Sequence, residues 1–136
     1  MKATILIAEA DETVRKLIRT VLENAHYDIR EACDVKSCLE TARTEHLDLV
    51  LLDCVSLDLG GMTTLKKLRV GYRTAEIPVL VMSAVGQYSY GFALWSNGWL
   101  VKPFRVSQLL QSVDRALNGW SFNQRSTLPP ALTAAG

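Results

Sequence analysis

The chain has 136 residues, enough for one domain with a single sizeable core and too few for two ordinary ones. Apolar residues make up 49% and charged residues 21%, the balance of an ordinary globular domain, which excludes a disordered chain. Its 15 Lys and Arg nearly cancel its 14 Asp and Glu, so it lacks the positive field that non-specific binding to nucleic acid or an anionic membrane requires.

From the N-terminus, one lysine and about six apolar residues precede Glu9. That is shorter than a signal-peptide core and far short of the ~20 residues that cross a bilayer, so a cytoplasmic protein is expected. The run Ala3–Ala8 reads as a first strand. Val14, Leu17, Ile18, Val21 and Leu22 then fall on one face of a helix that Asp11 can cap. A weaker strand signal at Tyr27–Arg30 is followed by a helix with Cys38, Leu39 and Ala42, capped by Asp34.

Leu47–Leu52 and Pro78–Met82 are runs of strand length, and within them Leu49–Leu52 and Val79–Met82 are continuously apolar, as expected of parallel strands covered on both faces. A helix from about Met62 to Val70 lies between them. Residues 85–97 should form a short or distorted fourth helix, because Gly86 and Gly91 each weaken a helix by about 1 kcal/mol relative to alanine. Trp99–Val101 is a fifth strand, and Val106, Leu109, Leu110, Val113 and Leu117 define a last helix. Asn118-Gly119 stops it, leaving a tail, 118–136, that is expected to be mobile, although Trp120 and Phe122 offer surface for packing back.

Cys33, Cys38 and Cys54 include no CxxC pair, and His26 and His46 stand at element ends without spaced partners. Neither a disulfide framework nor a zinc cage is suggested, and reduced thiols are expected. Strand and helix alternate throughout, which predicts an α/β doubly wound parallel sheet whose chemistry gathers outside the carboxyl ends of the strands. Glu9, Asp53, Ser83 and Lys102 all fall there. Together they supply an aspartate nucleophile, acids for a divalent cation, and a lysine and hydroxyl for phosphoryl oxygens, the groups that phosphorylation of a carboxylate needs.

With those residues in place, the sequence resembles the receiver domain of two-component response regulators. The motifs are ILIAEADETVR, DLVLLD ending at Asp53, PVLVMSA with Ser83 and WLVKPF with Lys102, and they cover about Lys2 to Leu117. The resemblance implies a flavodoxin-like fold: a five-stranded parallel sheet of order 2-1-3-4-5, helices on both faces, and a receiver domain over 1–117. It implies that Asp53 is the phosphoacceptor, Ser83 the switch hydroxyl, Lys102 the lysine contacting acceptor or phosphoryl group, and Trp99 the switch aromatic. It also implies Mg2+ held by Glu9, Asp53 and the backbone carbonyl of Val55.

Three departures stand out. Ala10 replaces the second acid of strand 1, the one expected to touch the metal, so Mg2+ binding should be weak. After Asp53 the family's proline and an acid are gone, with Gly61 matching the turn glycine and Gly60 a more flexible lead into it. The spacing from Ser83 to Lys102 is short, and Tyr88, Tyr90, Phe92, Trp95 and Trp99 crowd into it. Tyr88, Tyr90 and Phe92 cannot all face inward on one helix and, with Trp95, form the candidate partner face, while Trp95 and Trp99 also suit filling the space left by a shortened helix.

The reading is an atypical single-domain receiver, a switch and not a metabolic enzyme, phosphorylated by a histidine kinase or phosphotransfer protein. It would signal to a protein partner or homodimer through the face of helix 4, strand 5 and helix 5, with no direct contact to nucleic acid or membrane. The alternative is a phosphorylation-independent binding module in which Ala10 has cost metal binding. A flavodoxin-like redox protein is disfavoured, since the acids after strand 1 would repel a phosphate. Arg15, Lys16 and Arg19, and likewise Lys66, Lys67, Arg69 and Arg73, are expected on solvated faces.

Overall fold

Leu49, Val50, Leu51 and Leu52 are fully buried, because the strand they form lies at the centre of the sheet with helices on both sides. The computed structural model describes residues 2–53, 60–84 and 95–119. Five parallel strands, β1 (Thr4–Ala8), β2 (Asp28–Ala32), β3 (Leu49–Asp53), β4 (Val79–Ala84) and β5 (Gly98–Lys102), stand in the order β2-β1-β3-β4-β5. The described residues also form four helices: α1 (Glu12–Asn24), α2 (Val35–Thr44), α3 (Gly61–Val70) and α4 (Val106–Leu117). Element bounds differ from the apolar runs by one or two residues, since backbone pairing and not side-chain hydropathy ends a strand.

Side chains alternate across each strand, so the apolar runs feed two cores. Ile5, Ile7, Leu49, Leu51, Leu80 and Met82 pack with Ile18 and Leu22 of α1 and with Leu109 and Val113 of α4. Leu6, Ala8, Val50, Leu52, Val79 and Val81 pack with α2 and α3. Both predicted caps form: Asp11 Oδ1 accepts from Val14 N at 3.0 Å, and Asp34 Oδ1 from Ser37 N at 2.7 Å.

Two apolar residues leave their predicted faces. Leu17 is 64% exposed: at about 100° per residue it is the member of its helical set farthest round from Leu22, beyond the stripe that meets the sheet. Val106, in the first turn of α4, is also exposed, and the buried stripe there is Leu109, Val113 and Ala116. At the start of α3 it is Gly60 that takes the left-handed conformation, with φ 52°, while Gly61 is the first helical residue. An L side chain at Gly60 would be strained, so the turn glycine is one position earlier than the motif suggests.

Val55, the aromatics Tyr88, Tyr90 and Phe92, the segment 85–94 and the tail from 120 lie outside the described residues. Among the described residues no helix is long and apolar enough to cross a membrane.

Candidate functional site

The β1–β2 ladder runs one residue past β1, because Glu9 N donates to Ala32 O at 3.0 Å. Glu9 is thereby held in strand register and follows Ile5 and Ile7 onto the α1 and α4 side of the sheet. Asp53 follows Leu49 and Leu51 onto the same side at the end of β3. Both carboxylates are buried, at 1% and 4% exposure.

Lys102, the last residue of β5, reaches them from across the sheet. Its Nζ donates to Asp53 Oδ2 at 2.8 Å and to Glu9 Oε1 at 3.1 Å. Burial, then the hydrogen bond and charge of Asp53, raise Glu9 to about 7 against the opposing pull of Lys102. Burial alone would lower Lys102, but its hydrogen bonds to Asp53 and Glu9 outweigh that and raise it. One ammonium thus offsets two acids, and part of the remaining negative charge is relieved by a proton on Glu9.

Ser83 lies near the end of β4, fully buried, and its Oγ has no hydrogen-bond partner among the described residues. A buried hydroxyl in that state is costly unless something supplies a partner. Ala10 is half-buried at the turn into α1 and presents only a methyl group. Trp99 is buried in the core on the α1 and α4 side, and Trp95 is half-buried against the core on the α2 and α3 side, which favours the space-filling reading of both.

Glu9 and Asp53 are hard oxygen donors, and Mg2+ is commonly held by one or two carboxylates with water and phosphate completing its octahedron. They fit that ion in kind. No group of three or more His, Cys, Asp or Glu side chains is placed to hold a metal among the described residues, and Lys102 competes for both acids.

Two arginines assigned to solvated faces are structural instead. Arg15 Nη1 donates to Glu9 O at 2.8 Å and its Nε to Glu31 Oε1 at 3.0 Å. Arg69 donates to Trp95 O, Ile77 O, Ala75 O and Asn97 Oδ1, and burial lowers its pKa. Helix side chains lean toward the N-terminus, so a long cation at the end of the first turn can reach carbonyls that precede its helix. That was the signal in Arg15, one turn after the Asp11 cap.

Comparison with known proteins agrees with this geometry. The model of the response regulator receiver domain matches residues 5–114. The DNA-binding dual master transcriptional regulator RpaA of Synechocystis is 37% identical over 116 residues, covering 83% of this chain and 48% of that protein. The chain spans about half the length of the curated relatives it matches. Among solved structures, the chemotaxis response regulator CheY4 of Vibrio cholerae superposes with a TM-score of 0.77 at 25% identity, covering 85% of this chain and 99% of that one. The receiver domain of the Francisella response regulator 1452 gives a TM-score of 0.75 at 27% identity, covering 86% and 98%. The strand order, the bridged carboxylates at the sheet edge and the sequence match agree: the chain belongs to the response regulator receiver domain family.

Proposed function

We propose that this receiver is a phosphorylation switch in which Asp53 accepts a phosphoryl group from a histidine kinase or phosphotransfer protein. The observation that carries the reading is the Lys102 ammonium held 2.8 Å from the Asp53 carboxylate inside a buried acidic site. An Asp53 oxygen attacks the phosphorus of a phosphohistidine, the P–N bond breaks, and its electron pair returns to the imidazole nitrogen. Lys102 is placed to meet charge on the transferred group. The unpartnered Ser83 hydroxyl is suited to donate to one of its oxygens, which ties the phosphorylated state to the end of β4. Mg2+ bound through Glu9 and Asp53 would neutralise phosphoryl charge.

The output surface assigned by resemblance comprises β5, α4 and the segment before β5, toward a protein partner or a second copy. The reading concerns the receiver alone. A second reading, a binding module that works without phosphate, draws on Ala10, which removes one metal-binding acid, and on Lys102, which already engages both acids that remain.

The test is Mg2+ titration with a small acyl phosphate donor, followed by intact mass. A mass gain of one phosphoryl group that disappears in Asp53→Asn supports the switch. No gain in the native chain, with a gain in Ala10→Asp, supports the second reading.

A further inference from the structure

Glu9 belongs to no helix and lies just past the end of β1, yet its side chain must point inward for the site to exist. Two backbone contacts hold it. Its N–H donates to Ala32 O at 3.0 Å, and its carbonyl accepts from Arg15 Nη1 at 2.8 Å. The guanidinium is itself held: Arg15 Nε donates to Glu31 Oε1 at 3.0 Å, Glu31 pairs with Arg19 as well, and only 15% of the Arg15 side chain is exposed. Burial would raise Glu31, but its bonds to Arg19 and Arg15 lower it, so the carboxylate stays charged as the anchor.

Glu31 lies on β2, beside the Ala32 carbonyl that takes the Glu9 amide. One strand therefore sets both restraints, and Arg15 carries the second of them from α1. A weaker contact from Nη1 to Ala10 O, at 3.5 Å, extends the clamp to the residue where the usual acid is missing. Among the described residues the acids of the site are Glu9 and Asp53, so the direction of Glu9 carries weight.

We propose that Arg15, clamped by Glu31, is the positioning residue of the acidic site: it fixes the Glu9 backbone so that the Glu9 carboxylate meets Lys102 and Asp53. The inference rests on the reading of Asp53 and Glu9 as the phosphoryl site. Lysine cannot replace arginine here, because one ammonium lacks the fork that serves a carboxylate and a carbonyl at once.

The test compares Arg15→Lys, Arg15→Gln and Arg19→Ala with the native chain. Arg19→Ala removes a Glu31 partner without touching Glu9. The readout in metal-free, unphosphorylated protein is the carbon resonance of the Glu9 carboxyl and the nitrogen resonance of the Lys102 ammonium. Both should move in the two Arg15 variants and stay in place in Arg19→Ala. With Mg2+ added, half-saturation should rise about tenfold in the Arg15 variants, as when an outer partner of a metal ligand is lost. Unchanged resonances in a folded Arg15→Lys protein, or the same movement in Arg19→Ala, overturns the inference. Should Arg15→Gln not fold, Arg15→Lys, which keeps the charge beside Glu31, decides. Should native protein take no phosphoryl group, the switch reading fails, while the resonances still decide the role of Arg15.

Discussion

Lys102 and Asp53 meet at 2.8 Å although they stand 49 residues apart and β4 lies between their strands. The pair exists because three parallel strands end at one edge, and a lysine is long enough to cross the middle one. It also makes the site dependent on its cation.

Lys102→Met should destabilise the chain by about 2–4 kcal/mol at pH 7.5, because it removes the ammonium that two buried acids share. Urea denaturation of native and variant protein measures this. Adding Glu9→Gln to Lys102→Met should recover part of the loss, since it removes one of the two charges, and a simple sum of the two effects would count against the shared site.

Glu9 makes stability depend on pH with a sign opposite to an ordinary salt-bridged acid. Its folded pKa, about 7, lies above the usual 4.5, so its stabilising contribution is complete below about 4.5 and is lost as pH rises to 7. Glu9→Gln should remove that slope and leave the protein more stable than the native chain by about 1–2 kcal/mol at pH 8. Thermal denaturation of both proteins from pH 4.5 to pH 8 shows whether their curves diverge in this window.

Arg69 should be the most costly of the surface-looking cations to remove. Its guanidinium joins α3 to the loop before β4 and to Trp95 and Asn97 ahead of β5, and Asn97 Oδ1 also accepts from Val79 N at 2.8 Å. Arg69→Met should cost about 3 kcal/mol, because four part-buried oxygens lose a charged donor together. Arg69→Lys should recover little of it. Lys66→Met, one turn away and exposed, should change stability by less than about 0.5 kcal/mol in the same denaturation assay.

The thiols should separate by burial. Cys33 is exposed, whereas Cys38 is buried and its pKa is pushed up to about 12 by burial and by the charge of Asp34. In a Cys54→Ser background, a maleimide at pH 7.5 should label Cys33 within minutes and Cys38 only in denaturant. Rapid labelling of Cys38 in the native state would contradict the packing of α2.

The order of strands and helices was legible because both depend on local periods. A continuous apolar run such as Leu49–Leu52 announces burial on both faces, and Asp11 and Asp34 announce their helices by hydrogen bonds three residues away. Glu9, Asp53, Ser83 and Lys102 could be placed at one edge because each ends or closely follows a strand, and parallel strands end together.

Other features depend on which distant atom a side chain meets, and no local period encodes that. Arg15 and Arg69 look like solvated cations by composition. They are clamps only because folding brings the Glu9 carbonyl and Glu31 to one, and the Ile77 and Trp95 carbonyls to the other. Leu17 belongs to the apolar set by spacing and is exposed because the sheet covers a limited arc of α1. The ionisation of Glu9 is of the same kind: a strand-end glutamate has an ordinary pKa until burial, Asp53 and Lys102 are assembled around it. Local chemistry therefore announces the elements and the edge where the acids lie, while long-range packing sets which charges are shared there and which backbone atoms hold them in place.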